Sequence, residues 1–267
     1  MASSTRQALA AAKEALAPSL AKADLKFAEE IFAIGAAIGS SVQLRNILSD
    51  PSGEKKAKAG ALQAVFGKAV SKEALEFATT LSGYRWSKGG DLVAAFTQLG
   101  VFTIAGIVAK GKKLEELEGE LFAFNQALAS DRELQSAFSS RQATLDAKLE
   151  LIDTLTKKKV SDAAAILLRN AVINSKNVRL AVVLEGFIKQ VSAYASRLVA
   201  NVTVAAELSK SQLERLQASL TKTYGQDINL NVAIDPSILG GVKVQVAGEI
   251  IDGSVVARLN QAKMQLA

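Results

Sequence analysis

The chain has 267 residues, 49% of them hydrophobic, and a net charge of +6 from 32 basic and 26 acidic side chains. That length suffices for two cores of ordinary size, and three Pro with 5% aromatics point to Ala- and Leu-rich helical packing, a mainly α fold. The lack of Cys and His excludes a disulfide framework, thiolate or imidazole metal sites and the usual general base at neutral pH, so neither metal nor cofactor is expected.

Met1 to Arg6 opens an Ala-rich stretch with the flavour of a transit peptide, but Glu14 and Asp24 interrupt it and no long apolar core follows, so a first helix is expected. Gly35-Ala36-Ala37-Ile38-Gly39 imitates a membrane dimer motif in an apolar setting too short for a span, which leaves close helix packing as its reading. Asp50-Pro51-Ser52-Gly53 and Ser87-Lys88-Gly89-Gly90 are loops rich in turn residues. Leu92 to Ala109 is an uncharged run of 18 residues, the minimum for a membrane span. Thr97, Gln98, Thr103 and two Gly weaken that reading, and the central helix of a bundle is favoured. Gly106 to Lys113 is one position from a phosphate-binding loop; Lys113 stands where a magnesium-binding hydroxyl is required and would repel the metal, leaving a helix that ends in Gly and Lys. Lys55, Lys56 and Lys58, then Lys110, Lys112 and Lys113, then Lys157, Lys158 and Lys159 form separate clusters. Two lie near helix ends, where cations meet the dipole, and without a groove-reading motif nucleic acid is not expected as a partner.

The first part of the chain aligns with the next at an offset of 90 residues. Glu30-Ile31-Phe32-Ala33 matches Glu120-Leu121-Phe122-Ala123, and Leu48 with Phe138, Lys58 with Lys148, Leu62 with Ile152 and Val70-Ser71 with Val160-Ser161 keep the register. Ser87-Lys88 matches Ser175-Lys176 after a two-residue deletion. Ser40 with Gln43 and Ser130 with Glu133 have capping-box spacing, which predicts a helix start at the same place in each copy. Each copy is expected to hold four or five amphipathic helices.

Beyond residue 200, Ser209 and Gln212 repeat the capping-box spacing. Ile228, Leu230, Val232 and Ile234 alternate with polar or small residues and predict a strand with one apolar face. Asp235-Pro236 ends it, Gly240-Gly241 permits a reversal, and Val242, Val244 and Val246 alternate on a returning strand, which reads as a β-hairpin. Asp252-Gly253-Ser254 stops the extended run and offers a cap to a last helix, on which Val255, Val256, Leu259, Ala262, Lys263 and Leu266 recur at helical spacing. Asp235, Glu249 and Asp252 could be read as paired carboxylates for acid–base work, but turn chemistry and helix capping account better for Asp235 before Pro236 and Asp252 before Gly253.

This tail, from Ile234-Asp235-Pro236 through Gly240-Gly241 and Asp252-Gly253-Ser254 to Arg258-Leu259, resembles the C-terminal signature of the delta subunit of rotary ATP synthases, whose mitochondrial counterpart is the oligomycin-sensitivity-conferring protein. Val202 to Ser209 resembles the family's short extended segment before a helix, and Asn177-Val178-Arg179-Leu180 its last helix–helix corner. The resemblance covers roughly residues 90–267 and implies one helical bundle followed by a small α/β C-terminal domain; the chain departs from that form by its internal repeat, so the expected fold is a duplicated N-terminal helical bundle followed by a small α/β C-terminal domain with a β-hairpin. The domains would be residues 1–90 (an additional helical repeat), 91–200 (the usual bundle) and 201–267 (the α/β domain). It also implies a non-catalytic stator subunit at the cytoplasmic face of the cell membrane. Residues 92–200 would meet the N-terminal segments of ATP synthase alpha subunits, and residues 201–267 the ends of the b subunits. Asp235, Pro236, Gly240, Gly241, Asp252, Gly253, Ser254, Arg258 and Leu259 would then be structural, as would Asn177, Arg179 and Leu180 at the bundle corner. An all-helical adaptor unrelated to ATP synthase is the competing reading; it leaves the tail unexplained.

Overall fold

The computed structural model describes residues 3–176, 178–197, 199–224, 228–235, 240–246 and 249–252. It is mainly helical, with a small mixed sheet near the C-terminus. The chain forms two compact units, Met1–Val191 and Ser192–Ala267, with the boundary inside one helix.

The first unit carries α1 (Ser3–Leu20), α2 (Leu25–Ser40), α3 (Val42–Ser49), α4 (Lys55–Phe66), α5 (Lys72–Ser82), α6 (Gly89–Lys110), α7 (Leu114–Ser130), α8 (Arg132–Ser139), α9 (Leu145–Thr156), α10 (Asp162–Asn174) and the start of α11 (Leu180–Arg197). The duplication is visible in the element starts, since α8, α9 and α10 each begin 90 residues after α3, α4 and α5. The caps correct one expectation. Ser40 and Ser130 close the preceding helices, their hydroxyls donating to Ala37 O and Ala127 O. The N-caps are the next residues, Ser41, which accepts from Leu44 N, and Asp131, which accepts from Glu133 N and Leu134 N. Only a residue one position beyond the helix end has the extended backbone a cap requires, as Ser41 and Asp131 do. Arg45 and its counterpart Gln135 both reach back to the end of the previous helix, Arg45 Nη1 donating to Gly39 O and Gln135 Nε2 to Ala129 O.

A second repeated device was not legible in the sequence. Ser71 caps α5 by accepting from Ala74 N, and its hydroxyl donates to Glu30 Oε2 on α2. In the second copy Ser161 caps α10 by accepting from Ala164 N, its hydroxyl donates to Glu120 Oε2 at 2.6 Å, and its N–H donates to Glu120 Oε1 at 2.7 Å. Each copy thus ties a helix start to a carboxylate 41 residues upstream. Such charge-assisted bonds are stronger than neutral ones.

Helix α6 lies against both copies. It packs on α1, α2 and α3, and also on α7 and α10. Its apolar run is built into the core, with Leu92, Phe96, Leu99, Val101, Ile104 and Ala105 all buried. By length and hydropathy this helix could cross a membrane, as could α2 with α3 if that pair, bent by 107°, were one span, but the buried residues of α6 mark it as a bundle helix. Glycines let α2 and α6 approach closely. A Cβ at Gly35 would lie 2.5 Å from Phe96 Cβ, and one at Gly100 would lie 2.6 Å from the Phe32 ring. This matches the packing reading of the Gly35–Gly39 motif. In the second copy Asn125 replaces Gly35, and at the offset of 88 set by Ser87 and Ser175, Ile188 replaces Gly100. Phe122, the counterpart of Phe32, is 51% exposed where Phe32 is 4%.

The near-match to a phosphate loop is a helix end. Lys112 takes a positive φ of 55°, and its N–H and that of Lys113 bond back to Ala109 O and Val108 O. Gly111 keeps φ −84°, so the left-handed position falls one residue later than the glycine.

The second unit carries β1 (Val199–Val204), α12 (Lys210–Tyr224), β2 (Asn229–Ile234), β3 (Val242–Val246) and β4 (Glu249–Asp252). The capping box forms as read: Ser209 Oγ accepts from Gln212 N, and Gln212 Oε1 accepts from Ser209 N at 2.8 Å. The strand order is β2-β1-β3-β4, so β2 and β3 are not paired with each other. β1 lies between them, parallel to β2 and antiparallel to β3, and the hairpin neighbours are β3 and β4. The physical reason is the crossover: α12 joins β1 to β2, and parallel neighbours require such a connection. As an edge strand β2 exposes Val232 and Ile234 at 37% and 56%, against the expected apolar face turned inward. The core is Ala200, Val202, Val204, Leu220, Ile228, Val244 and Val246. The expected last helix and Val255, Val256, Leu259, Ala262 and Leu266 lie outside the described residues.

Candidate functional site

The residues the sequence singles out fall into two places, one in each unit. At the corner after α10, Leu180 is 5% exposed and anchors the first turn of α11. Arg179 is exposed, and its carbonyl accepts from the N–H groups of Val182 and Val183 at 3.0 and 3.3 Å to start that helix. Val178 is exposed, and Asn177 lies outside the described residues. An open cleft of about 730 Å³ runs beside this corner, between the α8–α9 connection, α9 and the α10–α11 connection.

In the second unit the Asp235 N–H donates to Val204 O at 2.8 Å and extends the β1–β2 ladder past the strand end. Gly240 and Gly241 take φ of 129° and 91° directly before β3, values that a side chain rarely tolerates. Asp252 ends β4 opposite Lys243 of β3, a cross-strand pair of opposite charge. Pro236, Gly253, Ser254, Arg258 and Leu259 lie outside the described residues.

Glu249 accepts a hydrogen bond from Tyr224 Oη at 3.2 Å, and burial followed by that carboxylate holds the Tyr224 phenol above its ordinary range. Among the described residues no cluster of three or more acidic side chains has metal-ligating geometry. Lys58, one of the basic-cluster residues, turns inward, is 4% exposed and donates from Nζ to Ser82 O at 2.8 Å, closing the end of α5. Burial pulls its ammonium below the ordinary range, while Asp50 opposes that shift. The other two basic clusters sit at the ends of α6 and α9.

Both edge strands of the sheet carry exposed apolar side chains, Val232 and Ile234 on β2, and Ile250 and Ile251 on β4 at 58% and 47% exposure. In the first unit Phe122, Val178 and Val182 are exposed.

The family model for the ATP synthase delta (OSCP) subunit matches residues 101–266. The chain is 39% identical over all of its length and all of the relative's to ATP synthase subunit delta of Leifsonia xyli. It is 37% identical to that of Pseudarthrobacter chlorophenolicus and 36% identical to that of Streptomyces griseus, again over the full length of both chains. The first copy of the repeat therefore lies within the full-length alignment to these relatives. A chain in the mitochondrial ATP synthase hexamer of Toxoplasma gondii aligns at a TM-score of 0.32 and 18% identity over 64% of this chain and 96% of that one, too loosely to add weight.

Proposed function

The chain belongs to the ATP synthase delta (OSCP) subunit family, and from that premise we propose that it is a non-catalytic peripheral-stalk subunit which keeps the catalytic head from turning with the rotor. The full-length 39% identity to an ATP synthase subunit delta carries this reading. The function is mechanical: rotation of the central stalk exerts torque on the head, and synthesis requires a stator to oppose it. A packed helical unit and a separate α/β unit suit such a task, because each offers its own exposed apolar side chains to a different neighbour.

Within the assembly, residues 92–200 contact the N-terminal segments of alpha subunits in a helix-in-groove mode. Residues 201–267 hold the ends of the b subunits, and the chain lies at the cytoplasmic face of the membrane. The signature residues shape turns and corners in support of those contacts: Gly240 and Gly241 by their positive φ, Leu180 by its burial. Residues 1–90 form an additional repeat. Because α6 packs on helices of both copies, that repeat braces the bundle itself.

Affinity purification of the complex through a tagged alpha subunit tests the division of labour. A chain lacking residues 201–267 should stay with alpha and lose b. Retention of b with loss of alpha would reverse the assignment, and copurification of the intact chain with neither would return the reading to an unrelated adaptor.

A further inference from the structure

Each copy of the helical repeat leaves a cleft at the same corner, and the two clefts differ in charge. In the first copy the cleft, of about 570 Å³, is lined by Asp50, Arg85 and Lys88, with Trp86 beneath it. Trp86 is 4% exposed and donates from Nε1 to Leu81 O. Lys58, near this corner, is withdrawn from solvent onto Ser82 O. In the second copy Ser140 replaces Asp50 at the offset of 90, and Lys148, the counterpart of Lys58, lines the open cleft. Arg141, Lys176 and Arg179 join it, with no carboxylate among the described lining residues. None of these four cations forms an ion pair among the described residues. Leu145 and Val178, 39% and 48% exposed, stand among them.

We propose that this cleft is a docking site for an acidic peptide segment that also presents apolar side chains. Four cations with no ion pair among the described residues, placed on the α8–α9 connection, α9 and the α10–α11 connection, form a field that one carboxylate or phosphate cannot match along its length, whereas a segment with several Asp or Glu can. Exposed Leu145 and Val178 call for apolar groups between those charges, which a free anion does not bring. The first copy is the internal control, since Asp50 removes the uniform sign of its cleft. The proposal rests on the stator reading only for the source of the peptide, another subunit of the assembly.

The test uses the full chain and a fluorescent synthetic peptide of Glu and Leu in amphipathic order, followed by anisotropy. Binding should weaken as salt rises, because exposed charges are screened, and a Lys–Leu peptide of the same pattern should not bind. The variant Lys176→Glu with Arg179→Glu should weaken binding by about tenfold, from two rim contacts turned from attraction to repulsion. The neutralised variant Arg141→Gln with Lys148→Gln should weaken it less, and Lys88→Glu in the first copy should leave it unchanged. Equal affinity in all variants, or displacement of the peptide by millimolar inorganic phosphate, would overturn the proposal. In the assembled complex a photo-crosslinker at exposed Ser139 should label an Asp- and Glu-rich segment of another subunit; labelling of lipid or of a second copy of this chain would overturn it too. If the chain still copurifies with alpha and b while the cleft variants change nothing, this proposal fails and the stator reading stands.

Discussion

Replacing Gly35 by Ala tests the close approach of α2 and α6. The added Cβ would sit 2.5 Å from Phe96 Cβ and 3.8 Å from Phe96 Cα, against a carbon–carbon contact distance of about 3.5–4.0 Å. Phe96 is 1% exposed and has no open space to enter, so the helices must part by roughly 1 Å to restore that contact distance. Overpacking of this kind costs about 1–3 kcal/mol. The gain in helix propensity from Gly to Ala offsets about 1 kcal/mol of it. Gly119→Ala in α7 isolates that gain, because nothing lies within 4 Å of its Cβ position, and it should stabilise by about 0.5–1 kcal/mol. The propensity term is common to both variants, so their difference of about 1–3 kcal/mol is the packing term alone. Urea unfolding followed by far-ultraviolet circular dichroism reads it, with the melting temperature moving by about 2–4 °C per kcal/mol for a unit of this size. Equal midpoints for the two variants would refute the close approach.

Ser71→Ala and Ser161→Ala should each cost about 1 kcal/mol for the lost cap. A double-mutant cycle between Glu30 and Ser71 should show a coupling of about 0.5–3 kcal/mol, and a coupling of zero would mean the pair does not contribute. Lys58 has a folded pKa below its ordinary 10.5, so the unfolded chain holds more protons between the two values and stability should rise with pH across that window. Lys58→Met should flatten the rise in urea titrations at alkaline pH. Tyr224 has the opposite sign: its folded pKa lies above 10.0, so its contribution is whole below that value and is lost as pH rises through the folded pKa, and Tyr224→Phe should remove this loss. Ser209→Ala should cost the second unit about 1 kcal/mol through its cap, while Ser211→Ala should stay near neutral in the same melts.

The duplication was legible because matched residues recur at one spacing, and that spacing survives in the starts of α3 to α5 and α8 to α10. The helix starts were misplaced by one residue because Ser40 and Ser41 are chemically alike, and only the backbone distinguishes a closing hydroxyl from a capping one. Alternation revealed the strands β2 and β3 but not their order, since periodicity records which face a residue takes and not which strand lies beside it. The exposure of Val232 and Ile234 follows from the edge position that alternation could not supply. Glu30 and Glu120 read as one helix position repeated, and their serine partners 41 residues away could be assigned only once the helices had packed. The charged corner was overlooked for a similar reason: Arg141, Lys148, Lys176 and Arg179 are scattered along the chain and share one cleft only in the fold.

Because α6 is a party wall between the two repeats, neither can be evicted without renovating the other. A shorter descendant that discarded the first five helices would leave Leu92, Phe96 and Leu99 facing water, and it would have to repaint that stripe with polar residues or recruit a tenant to cover it. Lengthening by duplication is in this sense a ratchet: once the shared helix has turned greasy on both sides, the extra repeat is no longer optional.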